Sequence, residues 1–149
     1  MYILTFDVED WFHLLDHPET STEKQWLQFE SRFETNLNRV LSITSDCNVK
    51  ATFFCLGWIA ERYPELIKRL ASEGHEIACH SSSHQLAYNQ TPEEFREDLL
   101  RAKNQILAAT GFFTNSVFRN SIFFAKAFFL ERSNKVFLSP FLGVKKFIG

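Results

Sequence analysis

The sequence predicts an α/β fold in which short buried strands alternate with amphipathic helices. Two observations lead to this prediction. Apolar runs typical of strands buried on both faces are separated by segments whose apolar residues recur every three or four positions. Acidic and histidine side chains follow two of the predicted strands, where parallel sheets and barrels collect their functional groups. The 149 residues, 45% of them apolar, suffice for one domain with its own core.

The first part of the chain predicts a strand, a helix and a second strand. Residues 2–6 form an apolar run with aromatic and β-branched members, which predicts a short strand that ends before Asp7. Residues 51–56, closed by Gly57, predict the second strand. Residues 23–45 between them predict one helix with an apolar stripe, which consists of Trp26, Phe29, Phe33, Leu37, Val40 and Leu41.

The next segment repeats this order. Residues 61–72 predict a helix with Pro64 in its first turn, and Gly74 is a typical residue to end it. Residues 75–79 then predict the third strand. Alternation of strands and helices predicts a parallel sheet or a barrel with crossover helices.

The last predicted helix has a clear beginning and end. Thr91, Pro92 and Glu94 have the spacing of a capping box, with proline at the first helical position. Gly111 is expected to end this helix, whose core stripe is Phe95, Leu99, Ala102 and Ile106. Residues 112–118 predict a fourth strand.

The composition changes near residue 111. Residues 1–111 carry a net charge of -7 with 7 phenylalanines, whereas residues 112–149 carry +5 with 10 phenylalanines. We interpret residues 1–118 as the folded domain and residues 119–149 as an atypical tail rich in Phe and Lys. Two explanations of the tail stay open: an apolar subdomain or membrane-surface patch, and a shift of reading frame.

Charge and cysteine usage exclude several classes of protein. A net charge of -2 provides no cationic field for a nucleic acid. No apolar stretch approaches the roughly 20 residues of a membrane span, and we expect no secretory leader. The three cysteines lack C-x-x-C spacing, which favours a reducing compartment, so we expect a cytoplasmic protein. A sheet or barrel that does not close would have unpaired strand edges, which favour self-association.

Two clusters of polar residues follow predicted strands. Asp7, Glu9 and Asp10 follow the first strand, and His80 and His84 flank three serines after the third. Two histidines four apart on a helical turn would lie on one face and converge on a cation, and a neighbouring acid would complete three ligands. Zinc or another divalent transition metal suits this set, and a water in the fourth position is typical of a hydrolytic site.

Simpler interpretations exist for each part of this pattern. His13 and His17 are also four apart without any reason to bind metal, so spacing by itself is weak evidence. The acids alone would suit a solvated turn, and the serines a plain loop. Cys79 beside His80 is expected to be a small buried apolar residue rather than a thiolate ligand.

Three segments, taken in order, resemble the motifs of a known family. They are Thr5-Phe6-Asp7 continuing into acids, Ala51-Thr52-Phe53-Phe54 followed by Gly57, and residues 74–84 with the sequence Gly-His-Glu-Ile-Ala-Cys-His-Ser-Ser-Ser-His. Together they are similar to polysaccharide deacetylases of the NodB-homology type, carbohydrate esterase family 4. The resemblance covers about residues 1–118. Residues 7–12 most resemble a branch found with exopolysaccharide and lipopolysaccharide biosynthesis genes.

The resemblance implies a fold, a reaction and a set of site residues. The fold would be a partial (β/α) barrel of the distorted, TIM-like kind, and the reaction would be metal-dependent hydrolysis of N-acetyl groups on the amino sugars of a carbohydrate substrate. His80 and His84 would be ligands of a divalent metal, expected to be zinc, and Asp7 would be the general base. The third ligand is Glu9 or Asp10, and strand alternation favours Glu9 because residues i and i+2 face the same side.

The sequence also departs from the family. Arg119 is the position that the resemblance assigns to the next family motif, yet the proline expected after that arginine is absent. No histidine follows His84 to protonate the leaving amine, and a barrel of this kind takes around 200 residues or more. Two alternatives therefore stay open: a truncated or frame-shifted, inactive remnant, and an amidase acting on other C–N bonds.

Overall fold

The computed structural model describes residues 3–13 and 18–111, and a parallel sheet of three strands lies at its centre. The strands are β1 (Thr5–Val8), β2 (Thr52–Cys55) and β3 (Glu76–Cys79). The helices are α1 (Glu23–Trp26), α2 (Phe33–Asp46), α3 (Gly57–Arg62), α4 (Pro64–Ser72) and α5 (Pro92–Thr110), and short 3-10 turns span Trp11–His13, Pro18–Thr20 and Ala87–Asn89.

The strands lie in the order β1-β2-β3 and pair in register. Thr5 lies opposite Thr52, which in turn lies opposite Glu76. Helices occupy both connections between strands, and α5 follows β3 and packs against α3 and α4. The predicted α/β alternation is thereby confirmed, and a parallel sheet of this kind is what a partial (β/α) barrel contains. Because all three strands run in parallel, their carboxyl ends meet at one edge of the sheet.

The first strand is shifted from its predicted position. It spans Thr5–Val8 rather than residues 2–6, so Asp7 lies inside the strand and not beyond it. Pairing with β2 decides this, because Asp7 lies opposite Phe54 and Val8 lies opposite Cys55 in the ladder. Hydrophobicity alone does not reveal which residues find a pairing partner.

The prediction of a single helix over residues 23–45 is wrong, since the chain forms two helices there, α1 and α2, with a non-helical segment between them. Two hydrogen bonds with residues near the end of β1 keep the segment between α1 and α2 out of a helix. The Trp11 indole N–H donates to the carbonyl of Glu30 at 3.1 Å, and the backbone N–H of Arg32 donates to the Asp10 carboxylate at 3.1 Å. These bonds hold residues 30–32 outside a helix and start α2 at Phe33.

The predicted helix at residues 61–72 is likewise two helices. α3 starts at Gly57 and ends at Arg62, and α4 starts with Pro64 at its first position. A proline cannot donate the backbone hydrogen bond that would continue α3, and it disfavours the α conformation of the residue before it.

The ends of α5 agree with the prediction. The Thr91 hydroxyl accepts from the backbone N–H of Glu94, and the Glu94 carboxylate accepts from the N–H of Thr91. Gly111 ends the helix with a left-handed φ of 75°, which glycine adopts without strain. Of the predicted core stripe, Ala102 and Ile106 are buried, and Phe95 and Leu99 are partly buried.

The core lies between the sheet and the helices. Its fully buried large side chains include Phe12, Phe53, Leu41, Leu56, Ile59, Ile67 and Leu70.

No helix in the described part of the chain is long and apolar enough to cross a membrane. The predicted fourth strand at residues 112–118, the tail at residues 119–149 and His17 lie outside the described residues.

Candidate metal centre

Three side chains converge at the carboxyl edge of the sheet. The Nε2 atoms of His80 and His84 are 3.2 Å apart. The Oε2 atom of Glu9 lies 2.9 Å from Nε2 of His84 and 4.0 Å from Nε2 of His80. Glu9, His80 and His84 therefore each offer one ligand atom within 4.8 Å of the others.

The two histidines do not meet through the helical turn that the sequence predicted. Residues 80–84 form a loop in which Ser81 and His84 have positive φ angles of 66° and 55°. The N–H of His80 donates to the carbonyl of Cys55 on β2, at 2.9 Å, and the N–H of Gly57 donates to the carbonyl of Ser81, at 2.8 Å. The loop is thus bound to the end of β2 and the start of α3.

Charge and burial prepare these side chains to bind a cation. Burial by itself would raise the pKa of Glu9, but the contact with His84 and the positive charges that His84, His80 and His13 can carry outweigh it and lower this pKa. Burial, joined by repulsion from His84, lowers the pKa of His80 although the nearby Asp7 and Glu9 carboxylates oppose the shift. An ionised carboxylate and an imidazole with a free lone pair are the forms that bind metal.

The donor set fits a borderline divalent cation such as zinc. Two imidazole nitrogens face each other at 3.2 Å, and the buried Glu9 oxygen lies beside them, 2.9 Å from Nε2 of His84. A cation between the three atoms would satisfy all of them at once. Imidazole nitrogens with one carboxylate oxygen form the protein part of a catalytic zinc site, which leaves a coordination position for water.

The remaining predicted residues of the site divide into three cases. Asp7 is exposed beside the centre, where its carboxylate is near enough to favour the protonated form of His80. Asp10 does not join the three ligand atoms. Its buried carboxylate instead accepts backbone N–H bonds from Trp11 and Arg32, which occupy the oxygens that a metal would need. Arg119 lies outside the described residues, so its role stays a prediction.

Sequence reasoning missed two residues that support the centre. His13 is buried, and its Nδ1 accepts from the backbone N–H of Asp10 at 2.8 Å, which holds the turn just after Glu9. Asp98 on α5 accepts hydrogen bonds from the serines between the two histidines. The spacing of His13 from His17 does not reveal its contact with Asp10, and no local pattern marks Asp98, because only the fold brings it near the serines.

The sequence profile of the polysaccharide deacetylase family matches residues 17–122. This range contains His80 and His84 and excludes the segment with Asp7 and Glu9. A peptidoglycan-N-acetylglucosamine deacetylase from Bacillus cereus (strain ATCC 14579) is 35% identical over 74 residues, which are 50% of this chain and 27% of that protein. A chitooligosaccharide deacetylase from Bradyrhizobium sp. (strain ANU 289) is 37% identical over 70 residues, 47% of this chain and 32% of that protein.

The fold is similar to that of solved deacetylases. The peptidoglycan deacetylase PdaC from Bacillus subtilis superposes with a TM-score of 0.53 at 27% identity, over 74% of this chain and 44% of that structure. The chain thus matches about a third of the length of the curated relatives and less than half of this structure. On the profile match across most of its length, supported by these relatives, the chain belongs to the polysaccharide deacetylase family.

Proposed function

We propose that this chain carries the metal centre of a divalent-metal-dependent deacetylase that removes N-acetyl groups from the amino sugars of a carbohydrate. The convergence of Glu9, His80 and His84 is the observation that carries this proposal. The activities named for two relatives support the substrate class, since one is a peptidoglycan-N-acetylglucosamine deacetylase and the other a chitooligosaccharide deacetylase. The chemistry of the donor set favours zinc.

Each residue of the site has a separate role in amide hydrolysis. When bound, a divalent cation supplies Lewis acidity, which lowers the pKa of water and polarises a carbonyl group. Glu9, His80 and His84 hold that cation. Asp7, exposed beside them, accepts the proton that the attacking water loses. The C–N bond of the acetamide breaks as its nitrogen takes up that proton from Asp7, and the products are acetate and the free amine of the sugar.

Metal titration tests the centre directly. Zinc added to chelator-treated, dialysed protein is expected to bind at about one equivalent. His80→Ala and His84→Ala should each weaken binding by more than about a hundredfold, since changes that only disturb the orientation of ligands already cost about 10–100-fold. Glu9→Gln should weaken it as well. Glu30→Gln is the matched control, because Glu30 is exposed and its carboxylate is not among the three groups that converge.

Acetate release tests the reaction. The zinc-loaded chain is expected to release acetate from an N-acetylated chito-oligosaccharide, and Asp7→Asn should reduce the rate while zinc still binds. Zinc bound at one equivalent with no acetate released would contradict the deacetylase activity and support the inactive remnant. Equal zinc binding by the wild type and His80→Ala would contradict the metal centre itself.

A further inference from the structure

One carboxylate on α5 holds the loop between the two histidine ligands. Oδ2 of Asp98 accepts from the backbone N–H of Ser82 at 2.9 Å. Oδ1 accepts from the backbone N–H of Ser83 at 2.9 Å and from the Ser83 hydroxyl at 2.6 Å. Three hydrogen bonds to one carboxylate thus fix two consecutive loop residues that lie 16 and 15 positions away from Asp98 along the chain.

The loop needs such an anchor because its backbone is strained. Ser81 and His84, on either side of the two anchored serines, have left-handed φ angles. Residues with a Cβ rarely adopt this conformation, and they keep it only where surrounding contacts over-determine it. Within the loop, one side-chain bond to the backbone contributes, from the N–H of His84 to the Ser81 hydroxyl at 3.1 Å. The remaining anchors come from neighbouring elements.

A second set of hydrogen bonds, between side chains, also holds this loop in place. The fully buried Ser82 hydroxyl donates to Oε1 of Gln105 at 2.7 Å, and Nε2 of Gln105 donates to the Glu61 carboxylate at 2.7 Å. Gly57 makes room for this Gln105 side chain, since a Cβ at that position would collide with it. Side-chain hydrogen bonds therefore join the loop to α5 and α5 to α3.

We propose that Asp98 is a positioning residue of the metal centre: by holding Ser82 and Ser83 it sets the loop geometry that brings the His80 and His84 imidazoles together. This inference rests on the proposed function, because it presumes that these imidazoles bind a cation. Without the carboxylate, the two backbone N–H groups lose their acceptor and the loop relaxes toward unstrained angles. The histidine nitrogens then separate, and the affinity for the cation falls.

Two substitutions at this position separate geometry from charge. Asp98→Ala removes all three acceptor contacts. Asp98→Asn removes the negative charge, keeps one oxygen for Ser83, and places an amide donor toward the N–H of Ser82. Glu97→Ala is the matched control, because it removes an acid from the same turn of α5 at an exposed position.

The experiment measures zinc affinity by competition with a chromophoric chelator, together with the visible absorption of the Co²⁺-loaded proteins. We expect Asp98→Ala to weaken zinc binding by about 10–100-fold, the range for residues that orient ligands. Asp98→Asn should give a smaller loss, and Glu97→Ala none. The Co²⁺ spectrum should change in Asp98→Ala, which a loss of overall stability alone would not cause. Hydrogen exchange at the Ser82 and Ser83 amides should accelerate without any metal present.

The outcomes separate this inference from the function on which it rests. Wild-type protein that binds neither zinc nor Co²⁺ would overturn the metal centre. Wild-type binding with unchanged affinity and spectrum in Asp98→Ala would overturn the positioning role alone. Equal losses in Asp98→Asn and Asp98→Ala would also overturn it, since they would point to charge and not geometry. If Asp98→Ala fails to fold, as judged by far-UV circular dichroism, Asp98→Asn decides through the same measurements.

Discussion

Replacing His13 with asparagine is expected to make the protein less sensitive to acid. The ring of His13 is 1% exposed and lies edge-on to Trp26 and Trp58, with ring centroids 4.4 and 5.0 Å away. Its Nδ1 accepts the backbone N–H of Asp10, so the proton of the neutral ring resides on Nε2. A second proton would have to occupy Nδ1 and break that bond inside an apolar cage.

The size of the effect follows from the shift in pKa. Burial lowers the pKa of His13 from the ordinary 6.5 to about 3, with Glu9 opposing the shift and His84 and His80 adding to it. Between these values the unfolded chain takes up a proton that the folded chain refuses, so stability falls as the pH falls. The cost approaches about 1.4 kcal/mol per pH unit below the ordinary pKa of 6.5, and it sums to about 2.5 kcal/mol between pH 7 and pH 4.5.

Urea denaturation of the metal-free protein at pH 7, 5.5 and 4.5 measures this effect. His13→Asn keeps an acceptor for the Asp10 N–H but does not titrate. Between pH 7 and pH 4.5 its free energy of unfolding should therefore fall by about 2.5 kcal/mol less than that of the wild type. The other titrating groups are common to both proteins and cancel in the difference. His75→Asn is the control: Nδ1 of His75 also accepts a backbone N–H, from Ala51, and burial lowers its pKa less. Parallel pH profiles for the wild type and His13→Asn would refute the reasoning.

Further predictions concern packing, capping and metal removal. Gly57→Ala should destabilise the protein by about 1–3 kcal/mol in urea denaturation, because the new Cβ would lie 2.9 Å from Cα of Ala102. Gly111→Ala meets no atom within 4 Å but has a left-handed φ, so we expect a loss of about 1–2 kcal/mol by the same assay. Thr91→Ala should cost about 1 kcal/mol and Thr91→Ser much less, since serine keeps the hydroxyl cap; equal losses would contradict the capping role. Zinc at a hundredfold excess over its Kd should stabilise the chain by about 3 kcal/mol over the chelator-treated form, as seen in its melting temperature, and Glu9→Gln at the same zinc concentration should lose most of this gain.

Features of the fold that depend on neighbouring residues in the chain could be predicted from the sequence. The beginning and end of α5 follow from Thr91, Glu94 and Gly111, whose capping contacts span only a few residues. The apolar run at residues 51–56 predicts β2 from hydrophobicity alone, although only one face of the strand is fully buried, since Thr52 and Phe54 are partly buried. The preference for Glu9 over Asp10 as the acid beside the two histidines also came from a local rule, the alternation of side chains along a strand.

Features that depend on contacts between distant segments needed the tertiary structure. Pairing with β2 decided where β1 lies. The bond from the Trp11 indole N–H to the Glu30 carbonyl and the bond from the Arg32 N–H to the Asp10 carboxylate broke the predicted helix, and the second bond keeps Asp10 apart from Glu9, His80 and His84. The strained loop between His80 and His84 holds its shape through Asp98, which no local pattern singles out. The physical reason is that capping and periodicity act within a few residues, whereas a buried backbone donor takes whichever acceptor the folded chain brings near it.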